Sequence, residues 1–225
     1  MSSKMAYSHL IALLLISFAP IMAQNITLKS PVKFLALGDS YTIGESVEAS
    51  KNRPHQLVDS LIGHGVNAEK PQVLATTGWR TDDLMNAVSN SHLASNFSLI
   101  SISIGVNNQY QGKPFSQFEK ELPLIFSQAL RHCSNDTTRI FFVSIPDYYF
   151  SPFGLSSQKG AKISAEIDQY NSFIKHFAEK MNVSFIDITA ISRNRDEKLT
   201  AKDGLHPSVY QYSAWVSKVL ESTTW

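Results

Sequence analysis

A single cysteine, Cys133, stands in the 225 residues. No disulfide can therefore close within the chain, and a cysteine-based zinc site is excluded. Charge of one sign is equally scarce: 20 Lys and Arg face 19 Asp and Glu, leaving a formal net charge of +1. That balance gives no electrostatic case for nucleic acid or an anionic membrane as partner. Only one long apolar run occurs, residues 10–19, and it is too short for a membrane span of about 20 residues. Internal repeats, low-complexity tracts and Pro/Gly/Ser-rich linkers are all missing. The chain does have a 43% hydrophobic composition, enough for a globular core.

The apolar run comes after Lys4 and ends in Pro20-Ile-Met-Ala23-Gln24. A positive start, a short apolar centre and a small residue at the junction describe a secretory signal peptide over residues 1–23, cleaved after Ala23. The expected location is secreted or periplasmic, with no stable membrane insertion once the segment is removed. Residues 24–225 are expected to form one domain. Cys133, at the end of a helical stretch, fits a small buried apolar role. Asn25, Asn96, Asn135 and Asn182 each begin an Asn-x-Ser/Thr triplet, which matters only in a host that glycosylates.

Five apolar runs, at 32–37, 72–75, 99–104, 139–145 and 184–188, are continuous rather than alternating, as in strands covered on both faces. Helical spacing occupies 55–62, a segment opening at Thr81, 115–133, 164–181 and 207–220. Thr81 is expected as a capping residue before the acidic first turn of Asp82 and Asp83, and Pro207 as the first residue of the last helix. Pro123 predicts a kink or a division within 115–133. Regular alternation of strand and helix makes the fold class α/β: a three-layer α/β/α sandwich with a five-stranded parallel sheet.

The candidate chemistry lies just past the end of each strand. Gly38-Asp39-Ser40 comes after the first, Gly78-Trp79 after the second and Gly105-Val-Asn107 after the third. Pro146-Asp147 comes after the fourth, and Asp203-Gly-Leu-His206 just before the last helix. In a parallel sheet these ends share one edge, where ligands bind. Acyl transfer needs a nucleophile, a base, a group orienting the base, and donors for an oxyanion. Ser40 can attack, His206 can take its proton, and Asp203 can hold the other ring nitrogen. Asn107 offers an amide donor, and the backbone N–H groups of Ser40 and Gly78 offer two more.

Gly38-Asp39-Ser40, Gly78, Gly105-x-Asn107 and Asp203-x-x-His206, in this order across the mature chain, resemble the four blocks of the SGNH (GDSL-type) hydrolases. Some phrases resemble a secreted bacterial branch. The resemblance implies a flavodoxin-like sandwich, ester hydrolysis without metal or organic cofactor, and catalytic roles for Ser40, Asp203, His206, Gly78 and Asn107. It implies a small-molecule, glycan or lipid ester as substrate. Asn108 departs from the family pattern, which has Asp there. Asn can donate as well as accept, so altered support of the loop is expected.

Plainer readings stand beside these. Ser40 alone would be a turn serine. Asp39 is expected to brace its loop, Asp147 to close a turn, and Asp82, Asp83, Glu119 and Glu121 to be exposed helix charges. His55, His64, His92, His132 and His176 read as polar surface groups. Among the aromatics at the strand ends (Tyr41, Trp79, Tyr110, Tyr148, Tyr149, Phe150 and Phe153), Trp79 and Tyr110 are the candidate substrate-binding pair. A non-catalytic glycan-binding module is the alternative from another class. Within the enzymes, a carbohydrate acetylesterase stands against a lipid-like acyl esterase or lysophospholipase.

Overall fold

The computed structural model describes residues 25–224; the expected signal segment lies outside them. The first strand, β1 (Ile26–Thr27), is followed by β2 (Phe34–Gly38), α1 (Ser40–Ile43) and α2 (Arg53–Gly63). Next come β3 (Gln72–Ala75), α3 (Thr81–Asn90), β4 (Leu99–Ser103), α4 (Val106–Tyr110) and α5 (Phe115–Arg131). The second half holds β5 (Ile140–Val143), α6 (Pro152–Leu155), α7 (Lys162–Met181), β6 (Ser184–Ile186), α8 (Thr189–Ser192), α9 (Val209–Glu221) and β7 (Thr223–Thr224).

The five expected strands form one all-parallel sheet in the order β3-β2-β4-β5-β6. This is the flavodoxin-type order, with its switch point between β2 and β4. Every residue of β2, β4 and β5 is buried, as continuous apolar runs require when helices cover both faces. Edge strand β3 differs: Gln72 is exposed, and Val73 and Leu74 are half-buried. Helix α2 packs with α9, and α5 packs with both α3 and α7. The large buried side chains Phe34, Phe118, Phe126, Phe141, Phe142 and Trp215 fill the space between sheet and helices.

Three local expectations are corrected. The division allowed for at Pro123 does not occur: the residue lies inside one helix, Phe115–Arg131, because the burial of Phe118, Leu122, Ile125 and Phe126 along one face outweighs the lost backbone bond. Pro207 precedes the last helix rather than beginning it; Ser208 is the N-cap, accepting the Gln211 N–H. Thr81 is the first helical residue of α3, and the cap comes from Asp83, whose carboxylate accepts the Arg80 N–H at 3.0 Å. One pairing has no counterpart among the expected strands: β1 pairs in parallel with β7, two residues each, too short to leave a pattern. Cys133 is fully buried.

Candidate active site

Ser40 enters the site because β2 ends in Gly38, where the chain turns tightly. A side chain at Gly38 would meet Thr42 Oγ1 at 2.1 Å and the Ser103 carbonyl at 2.4 Å, so only glycine fits. Asp39 then caps α1, its Oδ1 accepting the Tyr41 N–H at 3.0 Å. Ser40 is the first residue of that helix, so its own amide has no intrahelical carbonyl to bond. The bracing role expected of Asp39 is what its geometry supplies.

Across the sheet edge, His206 Nε2 lies 3.0 Å from Ser40 Oγ, and His206 Nδ1 lies 2.6 Å from Asp203 Oδ2. An Nδ1–H donating to the carboxylate leaves Nε2 free to accept the serine proton. Asp203 is well anchored: Oδ1 accepts the N–H groups of Leu205 and His206 at 2.9 and 3.0 Å, and Oδ2 also accepts the Ser46 hydroxyl at 2.6 Å. Partial burial by itself would raise its carboxyl. The Ser46 hydroxyl, the Leu205 N–H and the His206 donors outweigh that and hold it well below the usual carboxylate range. The Tyr41 ring packs at 5.2 Å from the imidazole and 6.5 Å from Trp215, fixing the ring against the core.

The expected oxyanion donors Gly78 and Asn107 line the same cavity as Ser40. Gly78 has φ +82, a left-handed backbone that side chains rarely adopt. Asn107 Nδ2 donates to the Trp79 carbonyl at 2.9 Å; this orients the amide and leaves its second proton free. Gln111 Nε2 donates to the Gly78 carbonyl at 3.2 Å, and Arg80 donates to Gln111 Oε1 at 2.8 Å. The loop after β3 is thus tied to α4 at several points.

Ser40, Gly78, Asn107, Tyr110 and His206 line one cavity of about 320 Å³, with Tyr41, Thr77, Val106, Gln111, Tyr148, Phe153 and Leu205. No Lys, Arg, Asp or Glu is among the lining residues. Tyr110 stands between Tyr148 and Phe153, with ring centroids 6.0 and 6.1 Å away. Tyr148 donates to Gln109 at 2.9 Å, and Gln109 donates to Glu166 at 2.7 Å. Trp79 does not line the cavity. It is half-buried and packed against the hydrophobic core, and its carbonyl accepts from Asn107.

Several supporting residues are not legible in the sequence. Arg53 is fully buried beneath the site, with both terminal nitrogens 3.3 Å from Ser101 Oγ. Burial lowers its pKa to about 10. An arginine in the first turn of an amphipathic helix gives no local sign of such burial. Asp82 and Asp83 are ion-paired with Arg80, and Glu121 accepts from Thr81 Oγ1 and Gln117, so these three are bound acids rather than solvated ones. Asp147 does close its turn, accepting the Tyr149 N–H, and pairs with Arg193 at 2.9 Å.

Among the described residues, no group of three or more His, Cys, Asp or Glu is placed to hold a metal, and no helix is long and apolar enough to cross a membrane.

A model of the GDSL-like Lipase/Acylhydrolase family matches residues 36–214. No curated protein sequence matches the chain. Solved structures resemble it at low identity. A member of the lipolytic protein G-D-S-L family from Veillonella parvula is 15% identical with a TM-score of 0.68, over 84% of this chain and 97% of that one. A psychrotrophic esterase from Pseudoalteromonas sp. is 16% identical with a TM-score of 0.62, over 84% and 95%. An acetylxylan esterase from Geobacillus stearothermophilus is 20% identical with a TM-score of 0.67, over 87% and 95%.

Proposed function

The chain belongs to the GDSL-like lipase/acylhydrolase family, and from that premise we propose that it is a serine esterase whose nucleophile is Ser40. The observation that carries this reading is the line of contacts from Ser40 Oγ through His206 to Asp203, at 3.0 and 2.6 Å, opening into the cavity.

In the proposed reaction, Ser40 Oγ attacks the ester carbonyl carbon as its proton passes to His206 Nε2. The N–H groups of Ser40 and Gly78 and the free Nδ2 proton of Asn107 stabilise the negative oxygen. Collapse breaks the bond to the alcohol, which leaves with the proton from His206, and the acyl group stays on Ser40. Water, deprotonated by the same imidazole, then releases the acid. Asp203 keeps the tautomer and stabilises the imidazolium.

The lining favours an uncharged, apolar acyl group. Val106, Tyr110, Tyr148, Phe153 and Leu205 offer carbon surface, and no Lys, Arg, Asp or Glu lines the cavity. An acetylated carbohydrate is the second reading, supported by the likeness to an acetylxylan esterase. A glycan-binding module without catalysis would have no use for the intact Ser40–His206–Asp203 contacts. The leader-like residues 1–23 support a location outside the cytoplasm; an exported protein that retains Met1 by N-terminal sequencing would contradict this.

The test is a hydrolysis panel from acetyl to long-chain acyl esters, with acetylated sugars and lysophospholipid, and Ser40→Ala as the blank. Turnover that rises with acyl length and vanishes in Ser40→Ala is expected. Unchanged hydrolysis by Ser40→Ala would refute the assignment.

A further inference from the structure

We propose that Ser46 is a positioning residue for Asp203, held in a strained backbone conformation so that its hydroxyl fixes the carboxylate that orients His206. The inference rests on the esterase reading above for its effect on turnover, though not for the contact itself.

Four observations carry it. Ser46 has φ +66 and is not glycine, a conformation that costs free energy and persists where the surroundings impose it. Its Oγ donates to Asp203 Oδ2 at 2.6 Å, the same oxygen that His206 Nδ1 reaches at 2.6 Å. The segment around it is pinned on both sides. Glu45 N donates to the Ser40 carbonyl at 3.0 Å and the Glu45 carboxylate accepts the Thr77 hydroxyl, while Val47 N donates to the Gly44 carbonyl at 3.2 Å. Asp203 itself retains 30% side-chain exposure; without Ser46, water could compete with the imidazole for Oδ2.

Ser46 therefore completes the carboxylate's anchoring. Two backbone N–H groups hold Oδ1, and the Ser46 hydroxyl and the imidazole share Oδ2. Ser46 is not among the residues lining the cavity, so it acts through Asp203 rather than on substrate. One short segment, residues 44–47, thereby joins the loop of Gly78, through Glu45 and Thr77, to the loop of Asp203, through Ser46.

Two variants separate hydroxyl from backbone. Ser46→Ala removes the hydroxyl and keeps the strained φ; Ser46→Gly removes both. On a short acyl ester, both should lose roughly three- to tenfold in kcat with KM unchanged, less than the full worth of one hydrogen bond to a charged group because two backbone N–H groups still hold Asp203. Ser46→Gly should nonetheless melt no lower than the native chain, because glycine adopts positive φ freely. A purely structural role would move melting and turnover together. The downfield NMR resonance of the His206 Nδ1 proton, read without substrate, should shift in both variants. A native kcat in Ser46→Ala with an unmoved resonance overturns the inference. A shifted resonance in a protein that hydrolyses no ester supports the Ser46 contact and overturns the esterase reading instead.

Discussion

Asn108 meets Thr81 with both ends of its amide: Oδ1 accepts the Thr81 N–H at 3.0 Å, and Nδ2 donates to Thr81 Oγ1 at 2.7 Å. Thr81 in turn donates its hydroxyl to Glu121. Asn108 Oδ1 satisfies a first-turn N–H of α3 that the helix itself leaves open, and Nδ2 supplies a donor that an ionised Asp at this position could not. Asn108 is fully buried. Asn108→Ala would strand the Thr81 N–H and should destabilise the protein by about 1–3 kcal/mol. Thermal melting checks this, and an unchanged melting temperature contradicts it.

Asn107 is expected to act on the transition state rather than on the bound ester. Asn107→Ala should lower kcat by about 10²–10³ while KM changes little. Steady-state kinetics on one activated ester decides the matter. A rise in KM with kcat intact would make Asn107 a binding residue only.

Asp39 ties stability to pH. Burial lifts its carboxyl to about 7, against the pull of the Tyr41 N–H, its own N–H and Arg53. A folded-state value above the ordinary 3.8 means that the folded protein holds this proton more tightly. The stability it contributes is full below the ordinary value and is lost as pH rises through about 7. Asp203, depressed instead, works in the opposite sense: its contribution is present above the ordinary value and is lost as pH falls toward the depressed one. Asp39→Asn keeps the acceptor for Tyr41 and removes the titration. Its melting temperature should gain on the native chain as pH rises from about 4 to about 7 and keep that gain above; parallel curves across the acid range would contradict this linkage.

On the proposed esterase reading, the carbon-lined cavity predicts an acyl-length dependence. Each methylene buried there is worth up to about 0.8 kcal/mol, roughly fourfold in kcat/KM, until the cavity is filled. Phe153→Ala, opening the wall beside Tyr110, should flatten that rise. A series of p-nitrophenyl esters measures it, and a preference for acetyl over every longer chain would favour the carbohydrate reading.

The sheet, and the meeting of the proposed reacting groups at its edge, are legible in the sequence because both leave local marks. Apolar runs closed by glycine locate the ends of β2 and β4, and Asp203 and His206 lie three residues apart at a helix entrance. Contacts between distant loops leave no such mark. Nothing near Ser46 announces Asp203, 157 positions away, and nothing near Arg53 says that it will be buried beneath Ser101. Trp79 shows the complementary limit: its position beside Gly78 is readable, but which way its ring turns depends on the core behind it. At Pro123, propensity alone points to a break, and the apolar face of α5 overrides it.

That Ser40 is a nucleophile activated by His206 is the centre of the proposed chemistry. Reaction with a fluorophosphonate, followed by intact mass and peptide mapping, measures it most directly. One adduct on Ser40 is predicted, absent in Ser40→Ala and greatly slowed in His206→Ala. Absence of any adduct on the native chain, or equal labelling of Ser40→Ala, would contradict it.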